Sequence, residues 1–348
     1  MTDIYIHIGT HKTGSSTIQH ALRDASQANG VNWIYSGTTR TIKDLMRAKQ
    51  YDNALVKRLK LEIERKMLHA KSVKAKRVII SSEALSGLPD TGYQNSNAVF
   101  SMLHEATSQY NTKIVVFLRR QDSFVQSMYT QLIHQGVSLD FESFLKQFSS
   151  PNALDYSRML DELSVAFGEQ NLIVKSYHES STLGLIDNFS EIVESNLPIP
   201  SKKGDRNVSY SIHAVEIAKI CNKYLNQKEK KQLRHSLQAV LAKKRTEPFT
   251  YFTDEERIKF LNKYQLSNQD VANRFFEGNL ERLFPTQKKT KLSSNHDNLT
   301  YDDVARVVVH ILKINSKNNE SGIIAGIRVA LKGYPRFSRF LQKVRHRF

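Results

Sequence analysis

The chain predicts an α/β protein: a parallel sheet flanked by helices, followed by a helical and strongly basic C-terminal extension. Three observations carry that expectation. Short apolar runs recur at Ile4 to Ile8, Arg77 to Ser81, Lys113 to Leu118 and Leu172 to Lys175. Helix-period stretches separate them, which is the alternation that builds a parallel sheet through right-handed crossovers. After Pro285 a polar stretch, Thr286 to Asn298, leads into sequence that is apolar again and rich in Lys and Arg. With 348 residues, 40% of them hydrophobic, the chain can bury a full core. The division expected is one large domain over 1–285 and a linker with a basic, partly helical extension over 286–348.

The elements follow in order. Ile4 to Ile8 is a strand that runs straight into a loop of Gly, Lys and hydroxyl residues and then opens a helix. Leu55, Leu59, Ile63 and Met67 recur every four residues among Lys and Glu, which marks an amphipathic helix with one buried stripe,. Arg77 to Ser81 is a strand, with Glu83 placed at its exit. Lys113 to Leu118 is a buried strand ending in Arg119, and Asp122 is the expected N-cap of the helix after it. Leu172 to Lys175 is the next strand. Helical patterns dominate from Ser211 onward, including Lys228 to Lys244, whose charge density fits a solvated face.

The loop after the first strand is an anion cradle. A helix N-terminus presents unpaired N–H groups and the positive end of its dipole, and Lys12, Thr13, Ser15, Ser16 and Thr17 add a cation and hydroxyl donors,. Gly9 and Gly14 have the spacing of a nucleotide-triphosphate P-loop. That motif, however, sets its lysine directly after the second glycine, where this chain has Ser15. The only lysine, Lys12, lies inside the loop.

The segment His11-Lys12-Thr13-Gly14-Ser15-Ser16-Thr17 instead resembles the 5′-phosphosulfate loop of sulfotransferases of the bacterial, carbohydrate-directed type. These enzymes use 3′-phosphoadenosine 5′-phosphosulfate (PAPS) as donor. A second resemblance lies about a hundred residues on. An arginine at a strand end and a serine eight residues later hold the 3′-phosphate in that family, which on this chain implies Arg119 and Ser127, with Arg120 as the neighbouring alternative. Arg206-Asn207-Val208-Ser209 is similar to a loop near the nucleotide in bacterial members, and Asn268 to Phe284 to their closing helical segment. The resemblance implies a P-loop-like sulfotransferase fold over roughly the first four fifths of the chain.

The same resemblance implies the chemistry: transfer of a sulfuryl group from PAPS to a hydroxyl or amine of an acceptor, a glycan or glycolipid as in polysaccharide biosynthesis. Glu83 is the expected base, because ligands of open parallel sheets sit beyond the strands' carboxyl ends and related enzymes commonly carry a glutamate there. A surface acid at a helix start is the bland alternative for Glu83. Lys12 is expected to meet charge on the leaving phosphate. His11 and His7 flank the loop and are the alternative proton acceptors, or else orient the loop. No metal is expected, since the twelve histidines are scattered without a ligand pattern,.

Charge narrows the partners. The chain has 51 Lys and Arg against 34 Asp and Glu, a formal +17, and residues 286–348 alone hold 13 basic and 4 acidic residues. Anionic partners follow, although no basic-aromatic nucleic-acid signature is present. Phe337, Phe340, Leu341, Val344 and Phe348 share a helical face ringed by Arg and Lys, which suits an anionic membrane or packing on the catalytic domain or a second subunit,. One cysteine, Cys221, precludes an intrachain disulfide. The absence of a leader-like or membrane-length apolar run predicts a cytoplasmic protein, peripheral at the inner membrane face if the tail docks there. Two other classes stay open at this point: a small-molecule or carbohydrate kinase with a degenerate P-loop, and a non-catalytic protein that binds an anionic surface.

Overall fold

A computed structural model of the chain describes residues 2–26, 32–195, 197, 210–241, 249–286 and 293–294. The chain divides into two compact units, one of Met1–Phe124, Lys146–Lys203 and Ile258–Gln287, the other of Val125–Leu145, Gly204–Arg257 and Lys288–Phe348.

The first unit is the α/β body. In chain order it begins β1 (Asp3–His7), α1 (Ser15–Ser26), β2 (Trp33–Ser36), α2 (Arg40–Arg47), α3 (Asn53–Ser72), β3 (Arg77–Ser81), α4 (Ser96–Thr107) and β4 (Thr112–Leu118). Helix α5 (Gln121–His134) starts in this unit and ends in the other, which also holds α6 (Phe141–Leu145). The chain then adds α7 (Tyr156–Phe167), β5 (Leu172–Ser176), α8 (Tyr177–Leu183) and α9 (Leu185–Ile192) to the first unit. The sheet is parallel throughout, in the order β2-β3-β1-β4-β5, with Ile4 opposite Val78 and Thr112 and His7 opposite Ser81 and Val115. Because both faces are covered, its strands read as nearly unbroken apolar runs, as buried parallel strands do. One face packs Tyr5, Ile79, Val115 and Phe117 against Ile18 and Leu22 of α1 and Ile186 and Phe189 of α9.

Two expectations need correction. The sheet has five described strands rather than the four read from sequence, because Trp33–Ser36 forms an edge strand where a mostly helical stretch was expected. Four residues paired on one side only, with β3, are too few to display a period of two. Asp122 is not at the N-cap position of α5, although its Oδ1 accepts from the first-turn Ser123 N–H at 2.7 Å. It lies inside the first turn, and its carboxylate holds Arg120 in a two-pronged pair, Nε to Oδ1 at 2.8 Å and Nη2 to Oδ2 at 2.9 Å. The backbone carbonyl of Arg120 takes the first helical bond, from Phe124 N–H.

Strand order positions the site. From β1 the chain moves outward to β2, returns through β3 to β1's side, and only then crosses to β4 on the opposite flank. The direction therefore reverses between β1 and β4, the switch point at which open α/β sheets bind ligands. The loop carrying Lys12 and the residue Arg119 leave the sheet at the carboxyl ends of those two strands.

In the second unit, Tyr129, Phe141, Phe144, Tyr251 and Phe252 form an aromatic cluster whose contacting rings have centroids 4.9 to 6.3 Å apart. Helices α10 (Ile212–Cys221) and α11 (Gln227–Leu241) belong to it, as does β6 (Phe249–Thr250). Helix α12 (Asp254–Asn262) leads back to α13 (Gln265–Phe275) and α14 (Leu280–Leu283) in the first unit, and the last described element, β7 (Ser293–Ser294), pairs in parallel with β6. The rest of the extension from Gln287, including the Phe337 to Phe348 face, lies outside the described residues.

Candidate active site

The loop after β1 is built to hold a tight turn. Lys12 and Gly14 both adopt left-handed backbone angles, φ 66° and 78°. Position 14 favours glycine because its φ of 78° is strained for any residue with a Cβ,. Gly14 C=O accepts from Thr17 and Ile18 N–H and so opens α1. The Ser15 and Ser16 N–H groups in the first turn are left without intrahelical partners. Thr10 Oγ1 donates to Phe117 C=O and Thr13 Oγ1 to Thr10 C=O, which ties the loop to β4. The Thr13 hydroxyl is thus spent bracing the loop. Ser15 Oγ is buried without a partner, while Ser16 and Thr17 are exposed on α1.

Arg119 closes on this loop from β4. Its Nη1 donates to Lys12 C=O at 2.8 Å, its guanidinium lies over the Tyr177 ring at 5.3 Å, and its Nε is buried without a partner. Its own carbonyl accepts from the Tyr156 hydroxyl at 2.8 Å. Since Arg120 is committed to Asp122, Arg119 is the cation presented at the strand end. Burial lowers the pKa of both Arg119 and Lys12, and the neighbouring Arg119 lowers that of Lys12 further, against an opposing pull from the Glu83 carboxylate. Two half-buried cations held together in this way are stabilised by an anion between them.

Glu83 opens a short 3₁₀ turn, Glu83–Ser86, directly after β3. Gln19 of α1 donates from Nε2 to its Oε2 at 2.7 Å. The carboxylate pulls the pKa of both Lys12 and His11 upward, against the stronger downward effect of burial at each. His11 is fixed by Tyr93: its N–H donates to the Tyr93 hydroxyl at 2.8 Å, and the two rings stack with centroids 6.0 Å apart. Burial pulls the His11 pKa down to about 4, outweighing the upward pull of Glu83 and Asp90. The imidazole is therefore neutral at physiological pH.

His7 does not face the loop's open side. It is fully buried, its Nδ1 is 2.8 Å from Ser81 Oγ, and its ring lies 5.5 Å from Phe117 and 5.3 Å from Phe189. Ser127 lies in the second turn of α5, partly buried, past the point where the chain enters the second unit. Arg206, Asn207 and Ser209 lie outside the described residues.

Sequence reasoning missed Gln19, Tyr93 and Tyr177. Tyr177 could have been found as the residue leaving β5, at the same sheet edge as Arg119. Gln19 and Tyr93 carry no local signal, being brought to Glu83 and His11 from 64 and 82 residues away. A separate groove of about 570 Å³ between α4 and α7 has its acids already engaged, Glu162 by Arg158 and Ser96, Asp161 by Arg274, and Glu105 by Tyr51. Among the described residues no group of three or more His, Cys, Asp or Glu is placed to hold a metal ion, and no helix is long and apolar enough to cross a membrane.

No protein-family model matches the chain. It is 25% identical over 237 residues to an uncharacterized protein of Archaeoglobus fulgidus, covering 66% of this chain and 62% of that one. The match thus spans less than two thirds of its relative's length. Among solved structures, it is similar to a sulfotransferase from Alicyclobacillus acidocaldarius, with a TM-score of 0.38 and 14% identity over 59% of this chain and 86% of that chain.

Proposed function

We propose that this protein is a PAPS-dependent sulfotransferase that moves a sulfuryl group to a hydroxyl, or an amine, of a glycan or glycolipid acceptor. The observation that carries this reading is Arg119 at the switch point, which donates from Nη1 to the Lys12 carbonyl and whose charge lowers the Lys12 pKa, with Arg119 Nε and Ser15 Oγ unspent. A lysine within the loop, not after its second glycine, suits a leaving 5′-phosphate better than the β- and γ-phosphates of a nucleoside triphosphate.

Each residue then has a task. The loop N–H groups, Lys12 and Ser15 hold the donor's phosphosulfate. Arg119, together with Ser127 and the Arg206, Asn207 and Ser209 segment, takes the 3′-phosphate and the nucleotide. Glu83, steadied by Gln19 on one oxygen, accepts the acceptor's proton as its oxygen attacks sulfur. The bond from sulfur to the 5′-phosphate oxygen breaks, and Lys12 meets the charge that collects on that oxygen, which is stabilisation aimed at the transition state. His11, neutral and held by Tyr93, shapes the loop and is the alternative proton acceptor. The reaction as written uses no metal, and a cytoplasmic setting supplies the donor.

The test is thermal unfolding with the product 3′-phosphoadenosine 5′-phosphate (PAP), with AMP, and with ATP plus Mg²⁺. PAP is expected to stabilise clearly more than AMP. Arg119→Ala should erase most of that difference, worth about 1.5 to 3 kcal/mol for a charge-assisted contact. Equal shifts with PAP and AMP reject the reading, and a larger one with ATP plus Mg²⁺ moves it to the kinase.

A further inference from the structure

Helix α3 satisfies the core with one face and leaves a second chemistry on the other. Leu55, Leu59 and Ile63 are buried. On the opposite side Leu61 and Leu68 are 53% and 68% exposed, and a separation of seven residues stacks them two turns apart on one side. Lys57, Arg58, Arg65 and Lys71 flank them, all exposed, and Val73, Lys74 and Lys76 continue the exposed surface past the helix end. Residues 57–76 contain eight Lys and Arg but only Glu62 and Glu64 as acids. Glu62 is turned away to the hydroxyls of Thr39 and Thr41, and Arg58 is paired with Asp44.

A solvated helix face gains nothing from large leucines at its apex, since the packing role is filled by the other stripe. We propose that the outer face of α3 docks on an anionic lipid bilayer, with Leu61 and Leu68 entering the headgroup and acyl boundary and the surrounding cations meeting the headgroups. Charge complementarity sets the sign of the partner. The leucines select a bilayer over a soluble polyanion, which would engage the cations and leave both side chains in water. This surface is distinct from the basic C-terminal extension and does not depend on the sulfotransferase reading.

A site-specific probe on the full chain separates α3 from the extension. Leu68→Trp and, as control, Leu266→Trp, whose leucine is 87% exposed on α13, are each mixed with vesicles of phosphatidylcholine and phosphatidylserine, and with phosphatidylcholine alone. The native Trp33 is buried and supplies a constant background. Only Leu68→Trp should shift its emission to the blue, and only with the anionic vesicles. Lys57→Gln with Lys71→Gln should lower vesicle partitioning roughly 30-fold, from about 1 kcal/mol per cation, and Leu61→Ser with Leu68→Ser should also weaken it. An unchanged Leu68→Trp spectrum while the protein sediments with vesicles overturns the proposal. So does an equal shift on adding heparin or duplex DNA.

Discussion

At the residue scale, the proposed sulfuryl transfer gives Lys12 and Glu83 separate tasks that mutation can resolve. Lys12→Ala removes charge stabilisation on the leaving group and a donor contact together, so with an acceptor in hand it should cost about 3 kcal/mol or more of transition-state stabilisation, with some loss of PAPS affinity. Glu83→Gln keeps the side chain's size and its neighbour Gln19 but cannot accept a proton. Turnover should fall about 10²- to 10⁴-fold with PAP affinity near wild type, and near-normal turnover would transfer the base assignment to His11. The buried His7 makes a different prediction, on stability. Its pKa is pulled by burial from 6.5 to about 3, so the unfolded chain binds a proton that the folded one refuses. Its contribution is fully present above about pH 6.5 and is lost as pH falls toward about 3, with a slope of at most about 1.4 kcal/mol per pH unit. His7→Asn, which does not titrate, should flatten the urea-denaturation stability between about pH 7 and pH 5. His11 and His178, both held near 4 by burial, leave a residual slope of the same sign.

At the element scale, helix starts show where local sequence is enough and where it is not. Asp52 caps α3 by accepting from Ala54 and Leu55 N–H, as an acid before an amphipathic run should,. Asp155 caps α7 at Arg158 N–H and also accepts from Ser267 Oγ at 2.7 Å, joining α7 to α13. Asp155→Ala should therefore cost about 1 to 2 kcal/mol, toward the upper end of the range for a cap alone; a loss of only a few tenths in chemical denaturation would mean that water replaces both bonds. Asp122 serves its helix start from inside the first turn, where it accepts from Ser123 N–H, and not from the N-cap position. Its neighbour Arg120 competes for the carboxylate, and that pairing leaves Arg119 as the cation turned toward Lys12. The strands divide the same way. Those buried on both faces declare themselves by unbroken apolar runs, whereas the four-residue edge strand Trp33–Ser36 is made a strand only by its neighbour β3.

At the scale of the whole molecule, every residue proposed to hold the donor falls before Pro285, which predicts that removing residues 299–348 will leave PAP-induced stabilisation close to that of the full chain. That cut spares Ser293–Ser294, the partner of Phe249–Thr250. Insolubility of the shortened protein, or loss of its response to PAP, would make the extension part of the fold. The α/β class, four of the strands, the glycine- and hydroxyl-rich loop with Lys12, and the strand-end arginine are legible in the sequence, because each is written in contiguous residues whose backbone and charge requirements are local. Tertiary structure alone decided that β1 and β4 are neighbours at the switch point, which sets Arg119 on the Lys12 carbonyl. It also set Gln19 on Glu83 and Tyr93 on the His11 N–H. These contacts join segments 64 to 107 residues apart, and only the packing of the sheet and its helices specifies them.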